Sequence, residues 1–182
     1  PILNDNDILD RFFKNNDYSK NSTVPTISPS MDISVASNFE RLIYDYYLER
    51  DAVTCNQLFT DFKSGKLALN DDLFKSKSGL FSSTVVSEEQ TIEIMKHFYD
   101  HYKYVLDPHS AIACKRALEK SDLHVVSMAT AHPDKFPALF KALDIPIENH
   151  HPALQNLSSL EERLIVMPCD YSVIKNFINN SL

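Results

Sequence analysis

Apolar side chains recur at helical spacing along much of the chain. After residue 38 they lie three or four positions apart, so they would share one buried helix face. The same spacing predicts helices over residues 6–14, 134–143 and 173–179, and a long helix that begins after Ser87. The two clearest patterns consist of Phe39, Leu42, Ile43, Tyr46 and Tyr47, and of Ile92, Met95, Phe98, Tyr99 and Tyr102.

Polar residues predict where several of these helices begin and end. Three stretches have a serine or threonine followed three residues later by glutamate or glutamine, the pattern of a capping box. They begin at Ser37, Thr54 and Ser87. Asp107 followed by Pro108 predicts another helix start, with aspartate as the cap and proline at the first helical position. Gly65 is expected to end the helix that begins at Thr54.

Short β-branched stretches between the helices predict a few strands. They are Leu80–Val86, which also suits an extended connection, Leu123–Met128, which is expected to be buried, and Leu164–Met167. Because helices alternate with short strands, we predict an α/β fold that is rich in helix. The strands are too few to complete a sheet, so the fold is expected to be incomplete.

The composition limits the possible partners and location. The formal net charge of −7 gives no electrostatic reason to bind nucleic acid or an anionic membrane. No apolar run approaches the length of about 18 residues that a membrane span needs. Three cysteines lie far apart without a C-x-x-C pair, which is typical of reduced thiols in a cytoplasmic protein. The sequence indicates no particular oligomeric state.

Glycine is scarce, with only Gly65 and Gly79 in 182 residues. Loops that bind phosphate need glycines so that the backbone can approach the anion. A phosphate loop is therefore not expected within this stretch. The chain begins with proline, and Pro1-Ile2-Leu3 resembles the end of a strand, so we expect a fragment or a processed chain.

Thr130 and His132 directly follow the predicted strand Leu123–Met128. In open α/β sheets, ligands bind beyond the carboxyl ends of strands. The small residues Ala129 and Ala131 would leave room there for a flat ring. A plain strand-to-helix turn, in which Thr130 and His132 bond to the backbone, is the alternative that the residues leave open.

Two other groups of polar residues have both a chemical and a structural interpretation. Asp107 to Ser110 is either an anion site at a helix N-terminus or a simple helix cap. His97 and His101 have a spacing that can hold a metal ion, but no third ligand accompanies them, and we predict no metal site.

Three stretches of the sequence resemble signatures of threonine synthase, and they occur in the family's order. They are "SPSMDISVASNFERLIYD" (28–45), "LDPHSAIA" (106–113) and "ATAHPDKFP" (129–137). The opening "ILNDNDILDRFF" is similar to the family's N-x-N-D-x-L-x-R-F segment. The resemblance covers about residues 2–167. Asp134, where a small residue is expected, is a minor departure.

The resemblance implies the carboxyl-terminal portion of a pyridoxal-phosphate enzyme with the tryptophan-synthase-β-like fold. Such an enzyme converts O-phospho-L-homoserine and water to L-threonine and phosphate. The whole of residues 1–182 would belong to this portion. The amino-terminal part, with the Schiff-base lysine and the glycine-rich phosphate loop, is expected to lie before Pro1. No lysine of this chain is therefore assigned a catalytic role.

The family likeness also implies roles for individual residues. Thr130 is the candidate for the hydroxyl that hydrogen-bonds the pyridine nitrogen of the cofactor, and this partner would tune its electronics. Five further residues are expected near the pocket, namely Asp32, Asn38, Arg41, His109 and His132. Arg41 would meet a carboxylate or phosphate of the substrate, or else pair on the surface.

Two other functions stay open at this point. The chain could be a truncated, non-catalytic helical interaction module, or part of another pyridoxal-phosphate lyase with the same fold. Without the lysine and the phosphate loop, we expect the chain alone to be inactive.

Overall fold

The structure is a computed structural model that describes residues 1–119, 124–148, 150–155 and 159–181. The chain divides into two compact units, residues 1–149 and residues 150–182. The first unit carries the larger part of the described structure. The second contains a short 3₁₀ turn, Pro152–Leu154, and one α-helix.

Helices dominate both units, and the strands are only two residues long. The helices are α1 (Ile8–Asn15), α2 (Phe39–Leu42), α3 (Ala52–Asp61), α4 (Asp71–Lys77), α5 (Glu88–Tyr102), α6 (Pro108–Glu119), α7 (Pro137–Leu143) and α8 (Tyr171–Ser181). The strands are β1 (Ile2–Leu3), β2 (Tyr18–Ser19), β3 (Lys66–Leu67) and β4 (Thr84–Val85). β1 pairs with β4 in parallel, and β2 pairs with β3 antiparallel. The predicted helix-rich α/β fold with an incomplete sheet is confirmed.

An aromatic cluster fills the first core of residues 1–149. Phe12 on α1 is fully buried and contacts four other core rings edge to face, with centroids 4.6–6.4 Å apart. These rings belong to Tyr18, Phe39, Tyr47 and Phe74. Edge-to-face pairs add to the free energy of burial because the positive ring edge meets the negative face.

The helix after Asn38 changes its hydrogen-bonding pattern partway along. α2 continues as a π-helical turn, Ile43–Tyr47, in which the Leu48 amide donates to the Ile43 carbonyl at 2.9 Å. The widened turn still buries Phe39, Ile43 and Tyr47 on one face. The buried face predicted from the apolar spacing is therefore confirmed.

The second core of residues 1–149 lies where α5, α6 and α7 meet the parallel strand pair. It contains Val86, Ile94, Met95, Leu106, Ala111, Ile112, Cys114, Phe140 and Ile145. β1 contacts α6, and the register of Ile2 opposite Thr84 fixes the strands beside this core. The carboxyl end of β1 thus leads the chain directly to Asn4, beside the helices that carry the other signature residues.

Of the three predicted capping boxes, only the one at Ser87 forms. The Ser87 hydroxyl accepts from the Gln90 amide, and the Gln90 side chain accepts from the Ser87 amide, both at 3.3 Å. The box at Thr54 was wrong, because Asp51 caps that helix three residues earlier. The box at Ser37 was wrong too, since Asn38 is the N-cap residue and its side chain makes no capping bond. Gly65 ends the α3 region with φ +92°, as predicted.

Two of the predicted strands are wrong. Residues 124–128 form no strand, and Val126 and Met128 are 84% and 68% exposed instead of buried. Leu123, the first residue of that prediction, lies outside the described residues. Leu164–Met167 is also irregular, with Val166 86% exposed. In the part of the chain that the structure describes, neither segment is paired with a strand, so their backbones join no ladder.

The predicted helix over residues 134–143 is a 3₁₀ turn, Pro133–Lys135, followed by α7. Pro137 at the start of α7 separates the two, because proline suits the first turn but restricts the residue before it. No helix within the described ranges is long and apolar enough to cross a membrane.

Candidate functional site

Asp107 caps helix α6 and is almost fully buried. Its Oδ1 accepts from the backbone amides of His109 and Ser110 at 2.9 and 3.3 Å, while Pro108 fills the position that needs no amide bond. Its Oδ2 accepts from the Ser110 hydroxyl. The predicted cap is confirmed, and these donors satisfy a carboxylate that would otherwise be costly to bury.

His109 is in the first turn of α6 and links this helix to the Ser28–Asp32 loop. The Ser30 amide donates to His109 Nε2 at 3.2 Å. His109 Nδ1 lies 3.1 Å from Asp107 Oδ1. Because Nε2 accepts, Nδ1 is the nitrogen that carries the proton and donates to Asp107. His109 therefore acts as a buried tether between two of the signature segments.

Ser110 links the same helix to the Thr130 segment. The Thr130 amide donates to Ser110 Oγ at 3.3 Å, so the hydroxyl that donates to Asp107 also accepts from Thr130. Three residues before Thr130, Ser127 Oγ donates to the Ala113 carbonyl at 3.0 Å. These two bonds hold residues 127–130 against α6 without any strand pairing.

A pocket of about 460 Å³ opens beside these residues. Its lining includes Asp107, Ser110, Ala129, Ala131 and His132, and also the end of α5 at Tyr99 and Lys103. The Thr130 side chain between the two alanines is exposed. Among the hydrogen bonds of the described residues none involves its hydroxyl. Thr130 itself is not among the residues that line this pocket, whereas its neighbours Ala129 and Ala131 are.

A buried polar network lies at the carboxyl end of β1. Asn4 Nδ2 donates to Asp32 Oδ1 at 2.8 Å and lies 3.0 Å from Ser28 Oγ. Asp32 also accepts from the Thr26 amide and hydroxyl at 2.8 and 2.6 Å. Asn6 donates to Asp32 and to the Val24 carbonyl. With these bonds Asp32 orders the loop 24–32, which in turn reaches His109 through Ser30.

Asn38 and Arg41 lie at a different place on the first unit. Arg41 Nη2 donates to Asn38 Oδ1 at 2.5 Å, and both side chains are exposed. They line an open groove together with Tyr44, Cys55 and Asn56. The structure thus joins Asp32, His109 and Thr130 through hydrogen bonds and places His132 on the neighbouring pocket. Asn38 and Arg41 are not part of that chain of bonds, and the expectation that they line a pocket with Thr130 stays a prediction.

The histidines that the sequence singled out have partners of their own. His132 Nδ1 accepts from the Asp134 amide at 3.2 Å and so shapes the turn before α7. The imidazoles of His97 and His101 have centroids 4.3 Å apart, and His101 Nδ1 lies 3.0 Å from the His97 carbonyl. In the described residues no three metal-ligating side chains come together.

Sequence reasoning gave Asn4, Asn6, Thr26 and Ser110 no role of their own. Asn4 and Asn6 could have been found from their position, since they are two amides that directly follow a short apolar stretch at a strand end. Ser110 had a weaker signal, because it follows the capping aspartate at the position whose amide the cap satisfies. Its bond to Thr130 is a tertiary contact that no local pattern reveals.

Comparisons with known proteins show which sequences the chain is similar to. A family model described as "Threonine synthase, C-terminal" matches residues 110–178. The threonine synthase of Pseudomonas aeruginosa is 39% identical over 97% of the chain, and that of Saccharomyces cerevisiae is 34% identical over 98%. The chain spans only 38% and 40% of the length of these two relatives.

Solved structures give the same result for the fold. PLP-bound threonine synthase from Brucella melitensis matches 98% of the chain with a TM-score of 0.80 and 33% identity, and the match covers 39% of that chain. The Escherichia coli enzyme, at 22% identity and a TM-score of 0.69, shows likeness of fold alone.

The fold is therefore an incomplete tryptophan-synthase-β-like domain, the class to which the solved neighbours belong. Within that class the chain is similar to threonine synthases, and it matches their carboxyl-terminal portion.

Proposed function

We propose that residues 1–182 form the carboxyl-terminal part of an enzyme that converts O-phospho-L-homoserine and water to L-threonine and phosphate. The observation that carries this proposal is the match of 98% of the chain to PLP-bound threonine synthase from Brucella melitensis at a TM-score of 0.80. The pocket lined by Ala129 and Ala131 supports it, because these small side chains on either side of Thr130 leave room for a flat ring. The cytoplasmic location expected from the cysteines stays a prediction.

Pyridoxal phosphate is the proposed cofactor. When bound, it supplies an electron sink for the carbon skeleton of the substrate. Thr130 would hold the pyridine nitrogen by donating a hydrogen bond from its hydroxyl. A hydroxyl does not stabilise a protonated nitrogen as a carboxylate does, so Thr130 would keep that nitrogen largely neutral. Ala129 and Ala131 would leave the space that the ring needs.

The other residues of the site would orient rather than react. Asp32 already accepts hydrogen bonds from Asn4 and from Thr26 of its own loop, so we propose that it fixes the loop shape instead of binding substrate directly. His132 would set the turn that follows Thr130. His109 would act only through Ser30, because both of its nitrogens have partners within the fold.

The first test uses the 182-residue chain by itself. Mixed with pyridoxal phosphate and then dialysed, the chain is expected to lose the cofactor absorbance and to release no phosphate from O-phospho-L-homoserine. Retained cofactor, or turnover by the chain alone, would contradict the idea that the lysine and phosphate loop must come from elsewhere.

The second test supplies the missing part from a relative. In a chimera, this chain replaces the matching 38% of the Pseudomonas aeruginosa enzyme. The chimera is expected to produce phosphate and threonine in equal amounts. Phosphate without threonine would favour another lyase of the same fold. A folded chimera that retains the cofactor but releases no phosphate would count against the proposal.

Thr130 is tested within the same chimera. Thr130→Val keeps the shape and removes the hydroxyl, and is expected to lower kcat by about 10- to 100-fold, the usual range for losing one strong hydrogen bond. The absorption maximum of the bound cofactor should shift as well, because the ring nitrogen loses its partner. Thr130→Ser keeps the hydroxyl and is the matched control. Equal rates and spectra for Thr130→Val and Thr130→Ser would remove Thr130 from the site.

A further inference from the structure

Asp107 sits at the centre of a branched set of hydrogen bonds. Its side chain is 2% exposed, and its described partners are the amides of residues 109 and 110, the Ser110 hydroxyl and the His109 ring. A helix cap needs only the two amide bonds. The bonds to the Ser110 hydroxyl and to the His109 imidazole go beyond capping and require a separate explanation.

One branch runs from Asp107 to Thr130. A serine hydroxyl has one proton to donate and lone pairs that accept. Because Ser110 donates its proton to Asp107 Oδ2, its lone pairs are free to accept from the Thr130 amide at 3.3 Å. The carboxylate therefore sets the direction of the Ser110 hydroxyl, and this direction fixes the backbone of Thr130.

The other branch runs from Asp107 to the loop that Asp32 orders. The carboxylate accepts from His109 Nδ1, which leaves Nε2 without a proton and able to accept from the Ser30 amide at 3.2 Å. The Phe136 ring packs beside the imidazole with a centroid distance of 5.2 Å, so the imidazole is held by packing as well as by hydrogen bonds. The tautomer of His109 is thus set by the same carboxylate.

We propose that Asp107 is a positioning residue that holds the Thr130 segment and the Ser28–Asp32 loop in fixed places relative to one another. Asp107 does this through Ser110 on one side and His109 on the other, without contacting a ligand itself. The inference rests on the proposed function only for what Thr130 contacts, since the bonds themselves lie within residues 1–149.

Hydrogen exchange of single amides in the 182-residue chain tests the two branches without any cofactor. Ser110→Ala is expected to speed exchange of the Thr130 amide by about fivefold or more, the factor that one hydrogen bond of typical strength protects. His109→Phe keeps a ring beside Phe136 and should speed exchange at Ser30 alone. Asp107→Ala should speed both.

Asp107→Asn separates positioning from capping. Asparagine caps helices as well as aspartate, so α6 should keep its stability. Its amide nitrogen cannot accept from the Ser110 hydroxyl, however, and the Thr130 amide should exchange faster. The amide of Met95, a buried residue of the same core, is the control, because general destabilisation would speed its exchange too.

The proposal is overturned if Ser110→Ala and Asp107→Asn leave the Thr130 amide unchanged, or if it changes only in step with Met95. In the chimera, Asp107→Asn should lower kcat more than it raises KM and shift the spectrum of the bound cofactor in the same direction as Thr130→Val. If these variants speed exchange at Thr130 but the chimera itself has no activity, the result would contradict the proposed function and still support the positioning role.

Discussion

Cys55 and Cys114 are buried thiols, one in each core of residues 1–149. Burial is the main cause that raises the pKa of both thiols; nearby carboxylates raise the pKa of Cys55 further, whereas a hydrogen bond with Ser127 partly offsets the rise at Cys114. Cys169 is exposed. Since only the thiolate reacts with alkylating reagents, the two buried thiols should be inert where the exposed one is reactive.

We therefore expect alkylation by iodoacetamide at pH 8 to modify Cys169 first, with Cys55 and Cys114 at least about tenfold slower. Raising the pH should speed the buried thiols late, because a raised pKa keeps them protonated over a range where an ordinary thiol has ionised. Mass spectrometry of the peptides would measure the three rates. Labelling in urea is the control, and there the rates should converge. Equal rates in the native chain would show that the two cores do not exclude water.

At the scale of single residues, the sequence does not reveal long-range contacts. The cofactor role of Thr130, inferred from its position after an apolar stretch and from family likeness, stays a prediction, and the structure leaves its side chain exposed. Ser110 was missed, although it holds the Thr130 backbone, because the two residues are 20 positions apart. Local sequence patterns do not predict a hydrogen bond between residues so far apart in the chain.

Helix starts show how local patterns compete within an element. The sequence patterns at Ser37, Thr54 and Ser87 look alike, but only Ser87 forms both hydrogen bonds of a capping box, each with Gln90. Its backbone at the cap position is extended. Asp51, three residues before Thr54, accepts from the amides of residues 53 and 54 and so takes the cap itself. A stronger cap slightly upstream wins, because each helix has one first turn to satisfy.

This difference gives a test by substitution. Ser87→Ala and Asp51→Ala should each lower the free energy of unfolding by about 1 kcal/mol, the typical cost of losing an N-cap side chain. Ser37→Ala is the matched control and should stay within about 0.5 kcal/mol of the parent, as surface changes away from such features do. Urea unfolding followed by circular dichroism would compare the three. A loss at Ser37 as large as at Ser87 would indicate that the first box forms after all.

Strands were predicted less well than helices, and the reason is physical. A helix satisfies its backbone within itself, so apolar spacing and caps suffice to predict α1, α5 and α6. A strand needs a hydrogen-bonded partner strand, and residues 124–128 pair with none among the described residues. The β-branched residues there favour a strand conformation, but the local sequence cannot show whether a partner strand is present.

On the scale of the whole molecule, the parallel pair of β1 and β4 is all that the described residues contain of a parallel sheet. The chain spans 38% of the length of its Pseudomonas aeruginosa relative, so most of a relative's sequence has no counterpart here. Family likeness and helix content could be predicted from sequence because both are carried by local stretches. Which strands find partners depends on the rest of the molecule, and no stretch of this chain encodes it alone.

Two valines beside the same parallel pair make that dependence measurable. Val86 follows β4 directly, is fully buried, and donates its amide to the Leu3 carbonyl at 2.8 Å. Val126 lies in the unpaired segment and is 84% exposed.

Val86→Asp buries an unpaired charge and should lower the free energy of unfolding by about 3 kcal/mol or more, whereas Val126→Asp should change it by less than about 0.5 kcal/mol. Urea unfolding of the 182-residue chain would compare the two variants. If Val126→Asp proved as damaging as Val86→Asp, the buried strand predicted from sequence would form in solution. A small effect would support the exposed position of Val126 and the absence of a buried strand in this segment.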